Sequence, residues 1–142
     1  MIKKTIREIK KGVDYDDDRY RIYIIESEGI ILYVGKSSEA ISRMESHIGK
    51  GDWVGFFGSV LDRLLITSAA DNFNVELYSE FDISQVIKTD WDIDTKVSWF
   101  EEYLIYELSP VYNAKGKKKS RDNSIKWYSL HPEPVIDIGV IV

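Results

Sequence analysis

Tyr23 and Tyr33 lie on consecutive segments whose aliphatic and aromatic residues favour β-strands. Ser27–Gly29 between them fits a three-residue hairpin loop, a type I turn closed by a glycine in the left-handed conformation. If Glu26 faces Ile30, the two tyrosines lie directly opposite each other, with Cβ atoms about 4.5–5.5 Å apart. Their hydroxyls could then converge on one small ligand. A cross-strand aromatic pair that serves packing alone is the alternative.

Arg43 and His47 follow on a segment whose pattern predicts a helix from Ser37 or Ser38 to about Ile48. Serine at a helix start accepts a hydrogen bond from an unpaired backbone N–H. Residues four apart on a helix lie on one face, one turn above the other. The two side chains would therefore present a cation beside a titratable imidazole. A solvated helix face is the alternative.

Glu101 is a carboxylate predicted to lie on a largely apolar flank. It falls between Val97 and Ile105 on a row of four-residue steps, in a helix predicted to begin at residue 94 or 95 and to end before Pro110. A carboxylate in such a setting requires a metal ion, an arginine or a hydrogen-bond donor. A boundary glutamate that reaches solvent is the alternative. The turn signal after the helix carries one amide side chain, Asn113.

The sequence around these residues resembles the motifs of the GIY-YIG nuclease family. The matching fragments are Arg-Ile-Tyr ending at Tyr23, Tyr-Val-Gly beginning at Tyr33, R-x-x-x-H from Arg43 to His47, E-x-x-L-I from Glu101 and P-x-Y-N ending at Asn113. The resemblance covers residues 20 to 114, with six positions in the expected order. Arg21 stands where the first motif has its glycine. That glycine is mainly a backbone residue, so the difference concerns strand packing or substrate approach more than the chemistry.

The resemblance implies an α/β (α+β) domain, a small three-stranded antiparallel sheet flanked by helices, that hydrolyses phosphodiester bonds in DNA. It also implies one divalent metal ion, Mg²⁺ or Mn²⁺. The roles carried over are metal ligand for Glu101, general base for Tyr23, second phenol near the attacking water for Tyr33, scissile-phosphate contact for Arg43, proton transfer or phosphate contact for His47, and support of the site for Asn113.

The chemistry of phosphodiester cleavage gives these roles a physical basis. A phosphodiester repels hydroxide, so Mg²⁺ and Arg43 would supply positive charge where the pentacovalent phosphate gains negative charge. One carboxylate suits Mg²⁺, which keeps much of its water shell. A phenol has an ordinary pKa of about 10, and a nearby metal ion or guanidinium favours the phenolate. Asn113 cannot titrate, so only an orienting or hydrogen-bonding role is open to it.

The charge distribution argues against unrestricted contact with DNA. The chain carries a net charge of −5, and residues 13–113 hold 8 basic against 20 acidic side chains. Such a body repels duplex DNA. Compensating basic residues cluster in residues 1–12 and 114–126. We expect the second cluster to act as a clamp on backbone phosphates. A solvated basic loop is the alternative. The predicted nucleic-acid contacts are Lys36, Lys115, Lys117, Lys118, Lys119 and Arg121.

Length and composition indicate one globular domain over residues 1–142, with 44% hydrophobic residues. Within it we predict a GIY-YIG-like core at 20–114, a basic and acidic N-terminal extension at 1–19, and a basic loop with an apolar strand at 115–142. The absence of cysteine excludes disulfides and thiolate zinc sites. No signal-like stretch and no run of 18 apolar residues occurs, so we expect a soluble, cytoplasmic protein without a membrane partner.

The remaining patterns predict a second helix at Phe56–Ala70 and a third strand at Asn74–Phe81, with Tyr78 facing outward. The apolar segment Val135–Val142 is expected to be a strand that pairs with a free sheet edge. We expect that edge to belong to the same chain. A homodimer through this strand is the alternative.

Two functions of different classes fit the sequence. The first is a divalent-metal-dependent endonuclease, and the second is a catalytically inactive nucleic-acid-binding or protein-binding module on the same scaffold. The presence of all six expected side chains favours the enzyme, because an inactive site is free to lose them. The acidic body and Arg21 favour the binding module. The residues do not distinguish DNA from RNA as the substrate.

Overall fold

The computed structural model of the chain describes residues 1–11, 20–37, 59–113 and 135–136. In chain order the elements are β1 (Ile2–Thr5), α1 (Ile6–Lys10), β2 (Tyr20–Ser27), β3 (Ile30–Lys36), α2 (Ser59–Leu65), a 3₁₀ turn (Ser68–Ala70), β4 (Asn74–Ser79), α3 (Glu80–Val86), β5 (Ile87–Lys88), α4 (Ile93–Leu108) and β6 (Val135–Ile136). The predicted combination of an antiparallel sheet with flanking helices is confirmed.

Within the described residues the main sheet contains four strands in the order β1-β4-β2-β3, all antiparallel neighbours, so the predicted three-strand count is wrong. The fourth strand is β1, which pairs with β4 from Ile2 opposite Leu77 to Thr5 opposite Asn74. The segment predicted to be an extension therefore supplies an edge strand of the sheet.

Helix α1 follows β1 without a loop because Thr5 and Glu8 form a capping box. Thr5 Oγ1 accepts a hydrogen bond from Glu8 N at 3.1 Å, and Glu8 Oε1 accepts one from Thr5 N at 3.2 Å. Ile6 and Ile9 on this short helix are fully buried. The cap therefore turns the chain back over the sheet and places two aliphatic side chains on one of its faces.

The turn between β2 and β3 has two residues, not the three predicted. Ser27 pairs with Ile30, which leaves Glu28 (φ 51°) and Gly29 (φ 80°) as the loop. Two consecutive positive φ angles define the type I′ family of hairpin turns, whose twist matches that of the flanking strands. Glycine adopts such a conformation at little cost, whereas glutamate does so with some strain.

The register of this hairpin differs from the predicted one by two residues. The shorter loop accounts for one, and an irregularity between Ile25 and Glu26 accounts for the other. Ile25 therefore pairs with Tyr33, and Tyr23 pairs with Gly35, so the predicted direct opposition of the tyrosines is wrong. Because side chains alternate with period two, a shift of two residues keeps both phenols on one face. They lie diagonally across the hairpin.

Helices cover both faces of the sheet. On one face, which we call the α2 face, the sheet residues Tyr23, Ile25, Val75 and Leu77 pack with residues of α1 and α2. On the other, the α4 face, the sheet residues Ile22, Ile24, Val34 and Tyr78 pack with residues of α3 and α4. Tyr78 is buried, so its predicted outward position is wrong. Strand β2 is apolar along most of its length because both of its sides are covered.

The predicted helix around Glu101 is confirmed with small changes at its start. It runs from Ile93 to Leu108, and Asp92 caps it by accepting a hydrogen bond from Thr95 N at 2.7 Å. It ends at Ser109, which is left-handed with φ 46° and precedes Pro110. A proline disfavours the helical conformation in the residue before it, which explains the position of the end.

Strand β4 ends two residues earlier than predicted because Ser79 begins a helix. Ser79 Oγ accepts a hydrogen bond from Asp82 N at 3.1 Å, and Asp82 Oδ2 accepts one from Ser79 N at 2.9 Å. This second capping box starts α3 at Glu80. Residues 82–94 thus supply most of α3, all of β5 and the N-terminal cap of α4.

The apolar C-terminal segment pairs within the chain, as predicted, at its two described residues. Val135 and Ile136 pair with Lys88 and Ile87 in a separate two-stranded ribbon. A homodimer through this segment stays a prediction. The second predicted helix begins at Ser59 in the described part of the chain. None of the helices in that part is long and apolar enough to cross a membrane.

The turn geometry predicts opposite effects for two neighbouring substitutions. Gly29→Ala should lower the free energy of unfolding by about 1 kcal/mol, because alanine is strained at this φ while its Cβ meets no atom within 4 Å. Glu28→Asn should raise it by roughly 0.5 kcal/mol, since asparagine tolerates the left-handed conformation. Urea unfolding followed by circular dichroism measures both, with Glu28→Ala as the control. An unchanged midpoint for Gly29→Ala would contradict the assigned turn.

Candidate active site at the outer edge of β3

Strand β3 lies at the end of the main sheet, so half of its backbone groups point away from β2. The residues that follow α4 bond to several of these groups. Val111 N donates to Ile31 O at 3.1 Å, and Tyr112 N donates to Leu32 O at 2.8 Å. The turn after α4 therefore runs along the outer edge of β3 and fixes the position of the predicted site residue that comes next.

Asn113 continues this edge with its side chain. Its Oδ1 accepts a hydrogen bond from Val34 N at 2.9 Å, and its Nδ2 donates one to Val34 O at 2.9 Å. The amide thus takes the place that one residue of a neighbouring strand would occupy. The side chain of Asn113 therefore fixes the position of β3 at Val34, and with it the position of the residues that follow.

Glu101 lies close to Lys36, the next residue of the same strand whose N–H points outward. Burial raises the pKa of the Glu101 carboxyl to about 7, while the charge of Lys36 and, less strongly, its backbone N–H favour the ionised form and Glu102 disfavours it. The Lys36 ammonium itself donates to Ser98 Oγ at 2.9 Å, one turn before Glu101 on α4. Glu101 is half-buried on the row of the buried Val97 and Ile105, as the four-residue steps predicted.

The phenol of Tyr23 approaches the same end of β3 from the α2 face. A Cβ at Gly35 would lie 2.4 Å from both Cζ and Oη of Tyr23, so the ring passes directly over this glycine. Only a residue without a side chain leaves room for it. Tyr33 is half-buried beside Tyr23, with ring centroids 6.1 Å apart and planes 17° from parallel. Both phenols therefore pack as an aromatic pair, and one of them reaches Gly35.

Tyr23 and Glu101 approach adjacent residues of β3. The ring and hydroxyl of Tyr23 lie over Gly35, and the carboxylate of Glu101 lies beside Lys36. Asn113 is bonded two residues earlier on the same strand. Four of the six predicted site residues thus gather around one short stretch of β3. The other two and the second basic cluster lie outside the described residues: Arg43, His47, Lys115, Lys117, Lys118, Lys119 and Arg121.

Arg21, in place of the motif glycine, ties the site to the helices behind it. Its Nη1 lies 3.0 Å from Glu80 Oε1, its Nη2 lies 2.5 Å from Asp94 Oδ1, and its Nε donates to Ser37 O at 3.3 Å. The hydrogen bond with Asp94, and then that with Glu80, raise the pKa of Arg21 against the opposing effect of burial. Sequence reasoning missed this cluster because its carboxylates lie 59 and 73 residues away from Arg21.

The donor set suits a metal ion that keeps most of its water. Glu101 is a single half-buried carboxylate, and no group of three or more histidine, cysteine, aspartate or glutamate side chains assembles within the described residues. Mg²⁺ commonly binds through one or two carboxylates, with water and substrate phosphate as further ligands. Within residues 20–37 and 59–113, Glu101 could therefore hold such an ion, whereas no site in which the protein supplies many ligands is formed.

The raised pKa of Glu101 predicts a pH-dependent stability. The fold favours the neutral carboxyl, so the wild type should lose stability as pH rises from about 4.5 to about 7. Glu101→Gln does not titrate there, so its advantage over the wild type should grow across this window by on the order of 2 kcal/mol and then level off. Thermal unfolding between pH 4 and pH 8 measures this, with the exposed Glu107→Gln as the matched control. Parallel pH profiles for wild type and Glu101→Gln would contradict it.

The bonds of Asn113 predict a loss of stability when the amide is removed. Asn113→Ala should lower the free energy of unfolding by about 1–3 kcal/mol, because both polar groups of Val34 lose their partner. Asn74→Ala is the control, since its amide makes one hydrogen bond of 3.1 Å to Glu26. Chemical denaturation measures both. If Asn113→Ala kept full stability, the amide would act on something other than β3.

Comparisons of the chain with protein-family models, with curated proteins and with solved structures find no match. The similarity to GIY-YIG nucleases rests on the motif residues alone. Four of those residues are described, and the fold brings them to one end of β3: Tyr23, Tyr33, Glu101 and Asn113. Membership of the family is therefore a proposal, and the chemistry of this site has to be argued from its own residues.

Proposed function

We propose that this protein is a divalent-metal-dependent endonuclease that hydrolyses phosphodiester bonds in DNA. The observation that supports the proposal most is the approach of a phenol and a carboxylate to adjacent residues of β3. Tyr23 reaches Gly35 from the α2 face, and Glu101 lies beside Lys36 at the strand edge. A sheet that needed only packing has no use for a half-buried carboxylate at this position, because its burial costs free energy.

Each group has a chemical task in this proposal. Glu101 would hold the metal ion, which when bound polarises a phosphate oxygen and makes an attacking water more acidic. Tyr23 would accept the proton of that water, with Tyr33 stacked beside it. The ammonium of Lys36 would contact a phosphate of the substrate backbone. Asn113 would keep β3 in position through Val34. Arg43 and His47 retain their proposed contacts with the scissile phosphate.

The acidic body sets a condition on how a substrate approaches. Residues 13–113 carry 20 acidic and 8 basic side chains, so most of this surface repels a polyanion. Productive contact would then depend on Lys36 at the site and on the basic cluster that follows Asn113 in sequence. Such a charge distribution favours binding of the substrate at one region over non-specific binding elsewhere on the surface. It also makes the affinity sensitive to the salt concentration.

A binding module without catalytic activity is the second candidate. The observation in its favour is that Arg21, at the position of the motif glycine, is engaged by Glu80 and Asp94 beside the site. A guanidinium held by carboxylates changes how a substrate strand can approach the peptide that follows Gly35. This candidate predicts binding of nucleic acid or protein without any cleavage.

Nicking of supercoiled plasmid in Mg²⁺ or Mn²⁺ tests the proposal. Wild type should convert the plasmid to the open circular form, and EDTA should stop the reaction. Glu101→Ala should reduce the rate by at least about a hundredfold through loss of the metal ion. Tyr23→Phe should reduce it by about a hundredfold through loss of the proton acceptor, while the stacked ring is kept.

Glu107→Gln is the matched control, because it removes one exposed carboxylate from the same helix. Its nicking rate should equal that of the wild type. Equal nicking by wild type and Glu101→Ala would overturn the catalytic proposal. Absence of nicking at every protein concentration, with binding retained, would favour the inactive module.

A further inference from the structure

A cleft of about 280 Å³ opens beside the candidate active site. Its lining residues come from the ends of β2 and β3 and from the first half of α4: Arg21, Lys36, Ser37, Asp94, Val97 and Ser98. Lys36 belongs to both the cleft and the site, since it lies beside Glu101. The cleft therefore continues the site along α4 toward the start of that helix.

The polar lining suits an anion. Arg21 and Lys36 provide two cations, and Ser37 and Ser98 provide hydroxyl groups. Ser98 Oγ accepts from Lys36 Nζ at 2.9 Å and so holds the ammonium at the cleft wall. Two cations and two hydroxyls match the hydrogen-bonding capacity of a phosphate, which accepts through several oxygens.

One anion is already present in the cleft, the carboxylate of Asp94. It contacts Arg21 at 2.5 Å, although the Asp94 side chain is 79% exposed and that of Arg21 only 15%. The other nitrogens of the guanidinium are also held: Nη1 lies 3.0 Å from Glu80 Oε1, and Nε donates to the carbonyl of Ser37. Arg21 would thus keep its position if Asp94 moved away. An exposed carboxylate gains little from such a pair, so another anion can replace it at low cost.

We propose that this cleft binds a second backbone phosphate of the nucleic-acid strand whose phosphate is cleaved. Arg21 and Lys36 hold the phosphate, and Asp94 is a built-in competitor that leaves Arg21 when the substrate binds. The inference deepens the proposed function and rests on it for the identity of the substrate. It also gives a role to the arginine at the position of the motif glycine.

The dimensions agree with a second phosphate on the same strand. Asp94 and Glu101 are two turns apart on α4, which corresponds to about 10 Å along the helix axis. Successive phosphates of one strand of duplex DNA rise by about 3.4 Å along its axis, and their separation along the backbone is larger. A strand whose scissile phosphate lies at Glu101 therefore carries another phosphate within reach of Arg21. Competition from Asp94 would weaken contacts with stray anions that fill the cleft alone.

Binding measurements in a cleavage-deficient background separate this inference from the catalytic proposal. All variants carry Glu101→Gln, and the probe is a fluorescein-labelled 20-base-pair DNA duplex followed by fluorescence anisotropy. Asp94→Asn should tighten binding three- to tenfold more than Asp90→Asn, which removes the same charge from an exposed position outside the cleft lining. Arg21→Gln should weaken binding about tenfold and reduce the slope of log K against log salt concentration by about one.

Equal affinities for Asp94→Asn and Asp90→Asn would overturn the inference, even if Arg21→Gln proved too unstable to measure. Calorimetric titration with inorganic phosphate provides a second arm. If Asp94→Asn bound free phosphate more tightly but DNA no better, the cleft would be a site for small anions and the inference would fall. Plasmid nicking by wild type with no Asp94 effect would leave the endonuclease proposal standing alone. A clear Asp94 effect without nicking would leave the phosphate site standing in a binding module.

Discussion

The hydrogen-bonding demand of the outer edge of β3 organises the candidate site. An edge strand has N–H and C=O groups with no neighbouring strand to receive them, and burying them unpaired is costly. Here the backbone of Val111 and Tyr112 and the amide of Asn113 bond to groups of this edge, and the carboxylate of Glu101 lies beside Lys36 farther along it. The side chains with chemical potential are therefore also the ones that complete the sheet. This double use explains why they lie at fixed positions relative to Gly35 and Lys36.

The same arrangement stores unfavourable free energy in Glu101. Burial favours the neutral carboxyl, and the charge of Lys36 is the main effect that opposes it. A carboxylate kept partly desolvated beside a cation is less stable than one in water, yet it is better prepared to bind a cation of higher charge. Perturbed ionisable groups of this kind concentrate at functional sites, although structural ion pairs perturb them as well. The nearby phenol of Tyr23 and the cleft beyond Lys36 distinguish this glutamate from a purely structural one.

Local patterns in the sequence identified the parts of the fold that depend on nearby residues. The four-residue rows of α4 located Glu101 on its flank, and Pro110 located the end of the helix. Strand periodicity correctly placed Tyr23 and Tyr33 on one face. The predicted register was wrong, because an alternating pattern does not reveal the length of the turn or a local irregularity in the strand. The remaining features of the fold depend on contacts between residues far apart in sequence. The pairing of β1 with β4 joins the N-terminus to a strand more than 70 residues later, and nothing local to Ile2–Thr5 specifies that partner.

The bonds between Asn113 and Val34 also bear on how copies of this protein meet. An uncovered edge strand is a template for another chain, and natural sheets avoid this by blocking such edges or by charging them. Asn113 blocks β3, while β1 at the opposite end of the sheet carries Lys3 and Lys4. Lys3 lies 3.7 Å from Glu76 and Lys4 lies 3.8 Å from Glu8, so charged side chains line this edge. Within the described residues, both ends of the main sheet thus carry features that discourage pairing with a second chain.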